Sequence, residues 1–453
     1  MKILNPATGD VLAEIPETTP AAMREKLDRA RGDQAAWAET PVPDRLEILR
    51  RFRGLLVDRK EKLAQTLTSE VGKPITQSRN EIEGTLSRID FFLEQVPRVL
   101  REEVVLNDPV HKLEEKITLE PLGLIVNISA WNYPYYVGSN VFLPALLTGN
   151  AVLYKPSEYA TLTGLAIGNL FQETGLPGGA FSVFVVSGEV GAELMKKPVH
   201  GIFFTGSYAT GRKIAESAAG RMIPVQLELG GKDPVYVCED VDVSGAAEAL
   251  ADGAFYNTGQ SCCAVERIYV HAKIYEPFVD AFLRTVRGFK VGDPADPATY
   301  IGPLARAAQV AVLEDQVADA VSKGARLVLG GKRIRGNYFE PTVLLEVRHT
   351  MKVMREESFG PIIGLLRVDS DEEASALMAD TEYGLTAGVY SKDRARAERL
   401  LSRVNAGSAY WNCCDRVSPR LPWSGRGHSG IGSTLSTTGI RAFLQPKAWH
   451  LRG

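Results

Sequence analysis

Between residues 123 and 219 the chain repeats one pattern, a short apolar run followed by a stretch of helical periodicity. The runs at 123–128, 151–154, 182–186 and 201–205 are too short for helices and lack alternation, so they read as strands buried on both faces. Helical patterns at 189–196 and 208–219 follow the later runs. Strand–helix repetition places successive strands parallel and covers both faces of the sheet with helices, which predicts a doubly wound α/β fold. Beyond residue 231 the alternation resumes, with strands expected at 234–238, 267–270, 385–390 and 409–411. Helices are expected there at 244–256, 276–289 and 305–323. A chain of 453 residues exceeds what one core usually holds, so two or three domains are expected.

Three amphipathic patterns precede the first strand, at 21–37, 45–71 and 75–96. Gly72-Lys73-Pro74 stops the second of these helices. The charges Arg50, Arg51, Arg53, Arg59 and Lys60 read as a solvated face. Residues 112–120 alternate between Pro109 and Pro121 and read as an exposed strand, as do residues 447–451 at the other end of the chain.

Composition excludes several classes. A formal net charge of −3 gives no drive toward nucleic acid or an anionic membrane. The most apolar region, 135–154, is interrupted by Ser139, Asn140, Pro144, Thr148 and Asn150 and does not read as a membrane span. The first residues, MKILNPATGD, hold no apolar core of a signal peptide. The five cysteines include two adjacent pairs and no C-x-x-C spacing, which argues against both a disulfide framework and a zinc site. A reducing, cytoplasmic setting with no metal is the expectation.

The chemistry concentrates in NTGQSCCAVER, residues 257–267. A cysteine after a turn-prone segment and before a strand is a candidate nucleophile, because thiolate attacks carbonyl carbon well. Either Cys262 or Cys263 fits, and either also fits as a small packing residue. Glu228, at the end of a strand and before Gly230-Gly231, is a candidate general base or a strand-end charge. Asn132, in Trp131-Asn132-Tyr133-Pro134, is a candidate oxyanion donor or a turn former.

Together these three stretches resemble the aldehyde dehydrogenase superfamily, and the resemblance extends in order from Asn5-Pro6 to the C-terminal region. It assigns the nucleophile to Cys262 through Gly259-Gln260-Ser261-Cys262 and leaves Cys263 as packing. It assigns the general base to Glu228 through the LELGGK run, and oxyanion stabilisation to Asn132. For a nicotinamide dinucleotide it implies Lys155, Ser157 and Glu158 near the ribose, and Gly206, Ser207 and Gly211 near the pyrophosphate. Glu357 and Phe359 would hold the nicotinamide end, with Trp131 and Leu229 completing the contacts. The sequence departs from the family pattern at Ala130, where a proline is usual, and at Trp423-Ser424 in the C-terminal motif.

The resemblance implies oxidation of an aldehyde to an acid through a thiohemiacetal and a thioester released by hydrolysis. The alternatives are a semialdehyde dehydrogenase and an enzyme that passes the thioester to coenzyme A, the latter disfavoured by Glu228. The fold implied is a Rossmann-type cofactor domain (1–105 and 122–231), an α/β catalytic domain (232–430) and a small β oligomerisation arm (106–121 and 431–453). A homodimer or homotetramer follows from the arm. NAD is the expected cofactor, since Glu158 suits a free 2′-hydroxyl, with NADP also accommodated. Asn140 stands where carboxylate-binding members place an arginine. With Tyr135, Tyr136, Tyr256, Tyr410 and Trp411 expected around the tunnel, the sequence favours apolar or aromatic aldehydes.

Overall fold

The computed structural model describes residues 1–453, with the side chains of all but residues 189 and 190. Two large sheets organise it. The first has six strands in the order Gly430–Ile431, Val225–Glu228, Gly201–Thr205, Leu124–Ile128, Ala151–Lys155 and Phe181–Val183. All neighbours run parallel except Gly430–Ile431, which lies antiparallel to Val225–Glu228. The chain builds outward from Leu124–Ile128 on one side, then crosses back to Gly201–Thr205 on the other. That reversal opens a crevice at the carboxyl ends of these strands, where ligands of doubly wound folds bind.

Helices cover both faces of this sheet, for the reason the sequence pattern gives: its strands are mostly apolar without alternation and are buried on both faces. Val42–Asp58, Ile75–Val99 and Pro134–Leu147 bury Phe52, Phe92 and Phe142 on one face. Pro20–Glu39 and Tyr208–Ala219 bury Leu27 and Ile214 on the other. Rings fix the first core, with Phe52 stacked on Phe171 at 4.1 Å between centroids.

The second sheet has seven strands, in the order Arg326–Leu329, Thr342–Leu345, Ile362–Val368, Val265–His271, Asp233–Val237, Thr386–Tyr390 and Ser408–Trp411. It is parallel except at Arg326–Leu329. Three of these strands, from Arg326–Leu329 to Ile362–Val368, lie outside the sequence expectations. Gly364 interrupts the apolar run of Ile362–Val368, and a Cβ there would stand 2.9 Å from the Met354 sulfur.

A third sheet pairs Leu444–Arg452 with Leu113–Pro121, and the latter with Glu103–Asp108. Residues 431–443, expected in the arm, instead include the short helix Ser436–Arg441, packed on Ile75–Val99. The single helix expected over 45–71 is two, Val42–Asp58 and Lys60–Val71, divided at Arg59 with φ −110° and ψ 10°. The apolar spacing runs in phase across the break, so periodicity cannot register it. The Arg59 side chain there reaches across to an ion pair with Glu173.

Candidate active site

The segment carrying Cys262 is held in a conformation its sequence would not adopt alone. Asn257, Thr258 and Gly259 have φ values of 53°, 59° and 71°, and left-handed backbone is costly for a β-branched threonine. The surroundings impose it. The Thr258 hydroxyl accepts from the Gly302 N–H at 3.0 Å, and the Asn257 N–H donates to Gln77 Oε1 at 2.9 Å. Gln260 Oε1 accepts from the Ala305 N–H at 3.0 Å. A Cβ at Gly259 would stand 2.2 Å from the Gly360 carbonyl oxygen. Strain held this tightly delivers the next residues at a fixed place, and Cys262 lines a cleft of about 730 Å³.

The two cysteines part company here. Cys263 is buried, and its thiol donates to Asp415 at 2.9 Å. The adjoining Cys262 thiol, burial and the Asp415 charge push Cys263 well above the ordinary thiol range. Cys263 is therefore held as a thiol, and Cys262 is the one that faces open space.

Asn132 and Glu228 reach the same cleft. Asn132 Nδ2 donates one hydrogen to the Gln260 carbonyl at 3.1 Å, which ties it to the cysteine segment and leaves its second hydrogen free. The backbone N–H of Cys262 donates to no backbone acceptor among the described residues. Two unspent donors thus stand beside one thiol. Glu228 ends its strand, is buried, and takes a hydrogen bond from the Thr434 hydroxyl. Burial pushes its carboxyl up to about 7, against the pull of the Thr434 bond and the Arg88 charge. A carboxylate so poised exchanges protons near neutral pH.

The cleft continues over the carboxyl ends of the first sheet. Trp131, Lys155, Ser157, Glu158, Gly206, Ser207, Leu229, Glu357 and Phe359 all line it. Gly211 does not; its bare Cα lets Leu229 pack within 2.6 Å of where a Cβ would be. Ser157 and Ser207 act as helix caps, accepting from the N–H groups of Tyr159 and Thr210. Gly206 spends its N–H on the Glu228 carbonyl at 3.0 Å. Lys155 Nζ sits 3.1 Å from Glu158 Oε1. Phe359, at φ 47°, meets Trp131 edge to face at 5.5 Å. Burial and the neighbouring Glu266 push Glu357 up to about 8.

These residues fit a dinucleotide. Thr205 Oγ1 is buried on the cleft wall with no partner among the described residues. Gly191 leaves room beside Lys155, where a Cβ would come within 2.9 Å. Lys213 and Arg306, which motif reading passed over, add positive charge to the lining. Arg306 comes from a segment without a glycine signature, and Lys213 lies two residues past Gly211, where the motif assigns no side chain. Thr434 likewise stands at a position to which no motif gives a role.

Of the aromatic residues expected around a substrate tunnel, Tyr135 is packed in the core at 1% exposure. Trp411 is exposed and donates its indole N–H to the Ser391 carbonyl at 2.8 Å. Tyr136, Tyr256 and Tyr410 are partly exposed. Tyr136 stacks on Tyr133, next to Asn132, at 5.8 Å between centroids. Asn140 is buried, and its Oδ1 has no partner among the described residues.

Known proteins share this arrangement along its whole length. The Aldehyde dehydrogenase family model matches residues 1–449. A Succinate-semialdehyde dehydrogenase [NADP(+)] of Deinococcus radiodurans is 35% identical, covering 98% of this chain and 93% of that protein. A Glutarate-semialdehyde dehydrogenase of Pseudomonas putida is 34% identical, covering 99% and 93% respectively. The crystal structure of lactaldehyde dehydrogenase from Escherichia coli superposes with a TM-score of 0.96 at 33% identity, covering 100% of this chain and 96% of that one. The chain belongs to the aldehyde dehydrogenase family.

Proposed function

We propose that the cleft oxidises an aldehyde to its carboxylic acid, with Cys262 as nucleophile, Asn132 and the Cys262 N–H as oxyanion donors, and Glu228 as general base. The observation that carries this assignment is the convergence of a cleft-facing thiol, two unspent donors and a carboxyl poised near neutrality. Attack by the Cys262 sulfur on the carbonyl carbon moves charge onto the carbonyl oxygen. The two donors stabilise that charge without reorganising. Lys155, Ser157, Glu158, Ser207, Glu357 and Phe359 would hold the dinucleotide. When bound, it supplies the hydride acceptor that lets the thiohemiacetal become a thioester. Glu228 then takes a proton from water, and the hydroxide so formed releases the acid from Cys262.

NAD is the favoured cofactor because Glu158 presents a carboxylate, which repels a 2′-phosphate. The relative from Deinococcus radiodurans carries NADP(+) in its name, and the Lys155–Glu158 pair gives this chain a cation at the same spot. We read residues 1–105 and 122–231 as the cofactor domain, with 232–430 as the catalytic domain. The arm supports a homodimer or homotetramer. None of the described helices is long and apolar enough to cross a membrane. The five cysteines are free, which suits a cytoplasmic setting.

An aldehyde panel read as NADH and NADPH formation tests the assignment. Oxidation of several aldehydes, lost in Cys262→Ser, is the expected result. Reduction of neither cofactor with any aldehyde would overturn it.

A further inference from the structure

Two buried polar side chains on one helix hold the two segments that meet at the catalytic centre. The helix Ile75–Val99 carries Gln77 and Glu81 one turn apart, so both lie on one face, about 6 Å from each other along the axis. Gln77 is 4% exposed and Glu81 1%. Gln77 Oε1 accepts the Asn257 N–H at 2.9 Å, and its Nε2 donates to the Tyr300 carbonyl at 3.1 Å. Glu81 Oε1 accepts the N–H groups of Tyr135 and Tyr136 at 2.8 and 3.4 Å. Its other oxygen receives Lys73, itself fully buried, with its ammonium 3.7 Å from the centroid of the Tyr133 ring. The other buried hydroxyls of the helix serve nearer needs: Ser78 pairs with Thr68, and Thr85 donates to the Glu81 carbonyl.

Each contact falls where the local chain gives least support. The helix Pro134–Leu147 starts without a side-chain cap at Tyr133, and Pro134 has no N–H, so Tyr135 and Tyr136 begin its row of unpaired donors. A carboxylate at that end is also favoured by the helix dipole. Asn132 stands two residues before this helix start, in a turn that has Ala130 where a proline would stiffen the backbone. On the other segment, Asn257 is held at φ 53°, in left-handed backbone that depends on outside support. The two segments, 125 residues apart, also hold each other. Asn257 Nδ2 donates to the Asn132 carbonyl at 3.2 Å, and Asn132 Nδ2 to the Gln260 carbonyl at 3.1 Å. The helix behind them is a firm support, since Ile82, Leu86, Ile89 and Phe92 anchor it in the first core.

We propose that Gln77 and Glu81 are positioning residues that set the separation between the Cys262 sulfur and the Asn132 amide, with the helix turn between them as the spacer. Neither lines the cleft, so neither touches substrate. Glu81 acts through the Asn132 turn, and Gln77 through the Cys262 segment. An oxyanion donor works only within hydrogen-bond range of the developing charge, and a displacement of about 1 Å costs up to about a hundredfold in rate. Loss of either anchor releases the separation, so the pair acts as one unit. This inference rests on the aldehyde-oxidising reading of the site.

The test separates positioning from general loosening through two reactions of one sulfur. The first is single-turnover formation of reduced cofactor with the fastest of hexanal, benzaldehyde and succinate semialdehyde, which passes through an oxyanion. The second is alkylation of Cys262 by iodoacetamide, followed at that residue by mass spectrometry. It displaces iodide at a saturated carbon and builds no oxyanion. Lys73→Met accompanies each Glu81 variant, so that no buried ammonium is left unpaired. We expect Lys73→Met/Glu81→Leu to slow the single turnover by roughly tenfold or more and alkylation by about twofold at most. Lys73→Met/Glu81→Gln keeps an acceptor for the Tyr135 N–H and should recover most of the rate. Added to Asn132→Ala, the Glu81→Leu pair should slow the single turnover by no more than about twofold further. Equal slowing of both reactions overturns the proposal. So does an unchanged single turnover, a glutamine variant as slow as the leucine one, or an effect that persists in full without Asn132. Should the Glu81 variants fail to fold, Gln77→Leu decides: its single turnover must slow more than its alkylation, and equal slowing overturns the proposal. Aldehyde oxidation without these patterns sinks this inference alone, whereas no oxidation of any aldehyde sinks the reading beneath it as well.

Discussion

The Thr434 hydroxyl donates a hydrogen bond to the Glu228 carboxylate, joining residues more than two hundred positions apart. The contact exists because Gly430–Ile431 pairs antiparallel with Val225–Glu228, which lays the following loop across the strand end. The pairing brings a C-terminal side chain onto the proposed general base.

A pH dependence follows from this contact. Burial holds Glu228 near 7, so its active carboxylate form is lost as pH falls through that value, and turnover falls with it. The Thr434 bond opposes the upward shift. Thr434→Val removes a hydrogen bond to the ionised form and should move the acidic limb of the kcat profile up by about one pH unit. An unmoved or lowered limb would show that Thr434 does not act on the base.

Glu228→Gln should form the acyl-enzyme and release it slowly. Rapid mixing should give a burst near one reduced cofactor per active site, then a slow phase at least about a hundredfold below the normal rate. Loss of the burst as well would place Glu228 in the earlier step, activation of the thiol.

Cys262→Ser should abolish aldehyde oxidation, while Cys263→Ser keeps most of it. The second substitution retains a donor for Asp415 at a buried site. Steady-state assays of the two variants decide between the sulfurs. A dead Cys263 variant with its fold intact by circular dichroism would shift the nucleophile by one residue.

Glu158 is proposed to set cofactor choice. Glu158→Gln removes the negative charge and frees Lys155 for a phosphate, so the NADP to NAD ratio of kcat/KM should rise by roughly tenfold. An unchanged ratio would assign the preference to other lining residues.

Self-association is expected through the arm. Its outer strand Glu103–Asp108 exposes Val104, Val105 and Leu106, an unpaired apolar edge of the kind that seeks a partner. Light scattering at micromolar concentration should give a dimer or tetramer mass. Replacing Val105 with lysine should weaken the assembly, and a clean monomer in the unaltered protein would refute the reading.

Elements whose signals are local were legible in the sequence. The Gly201–Thr205 strand and the Tyr208–Ala219 helix lie where unbroken apolar runs and helical spacing put them. Cys262, Asn132 and Glu228 stood out because each sits in a short, unusual run of residue types, and the fold brings all three to one cleft. Local pattern failed where a break costs nothing in phase, as at Arg59, or where glycine interrupts a strand, as at Gly364. It also failed for partners chosen by packing: Thr434 on Glu228, Asp415 on Cys263, and Arg88 on the Tyr136 ring. Periodicity marks Arg88 only as one position on an amphipathic helix. The sequence by itself determined the strand–helix order and the reactive residue types. Only the tertiary structure decided which thiol faces the cleft and which cations are buried, because desolvation and pairing depend on neighbours the chain order does not name.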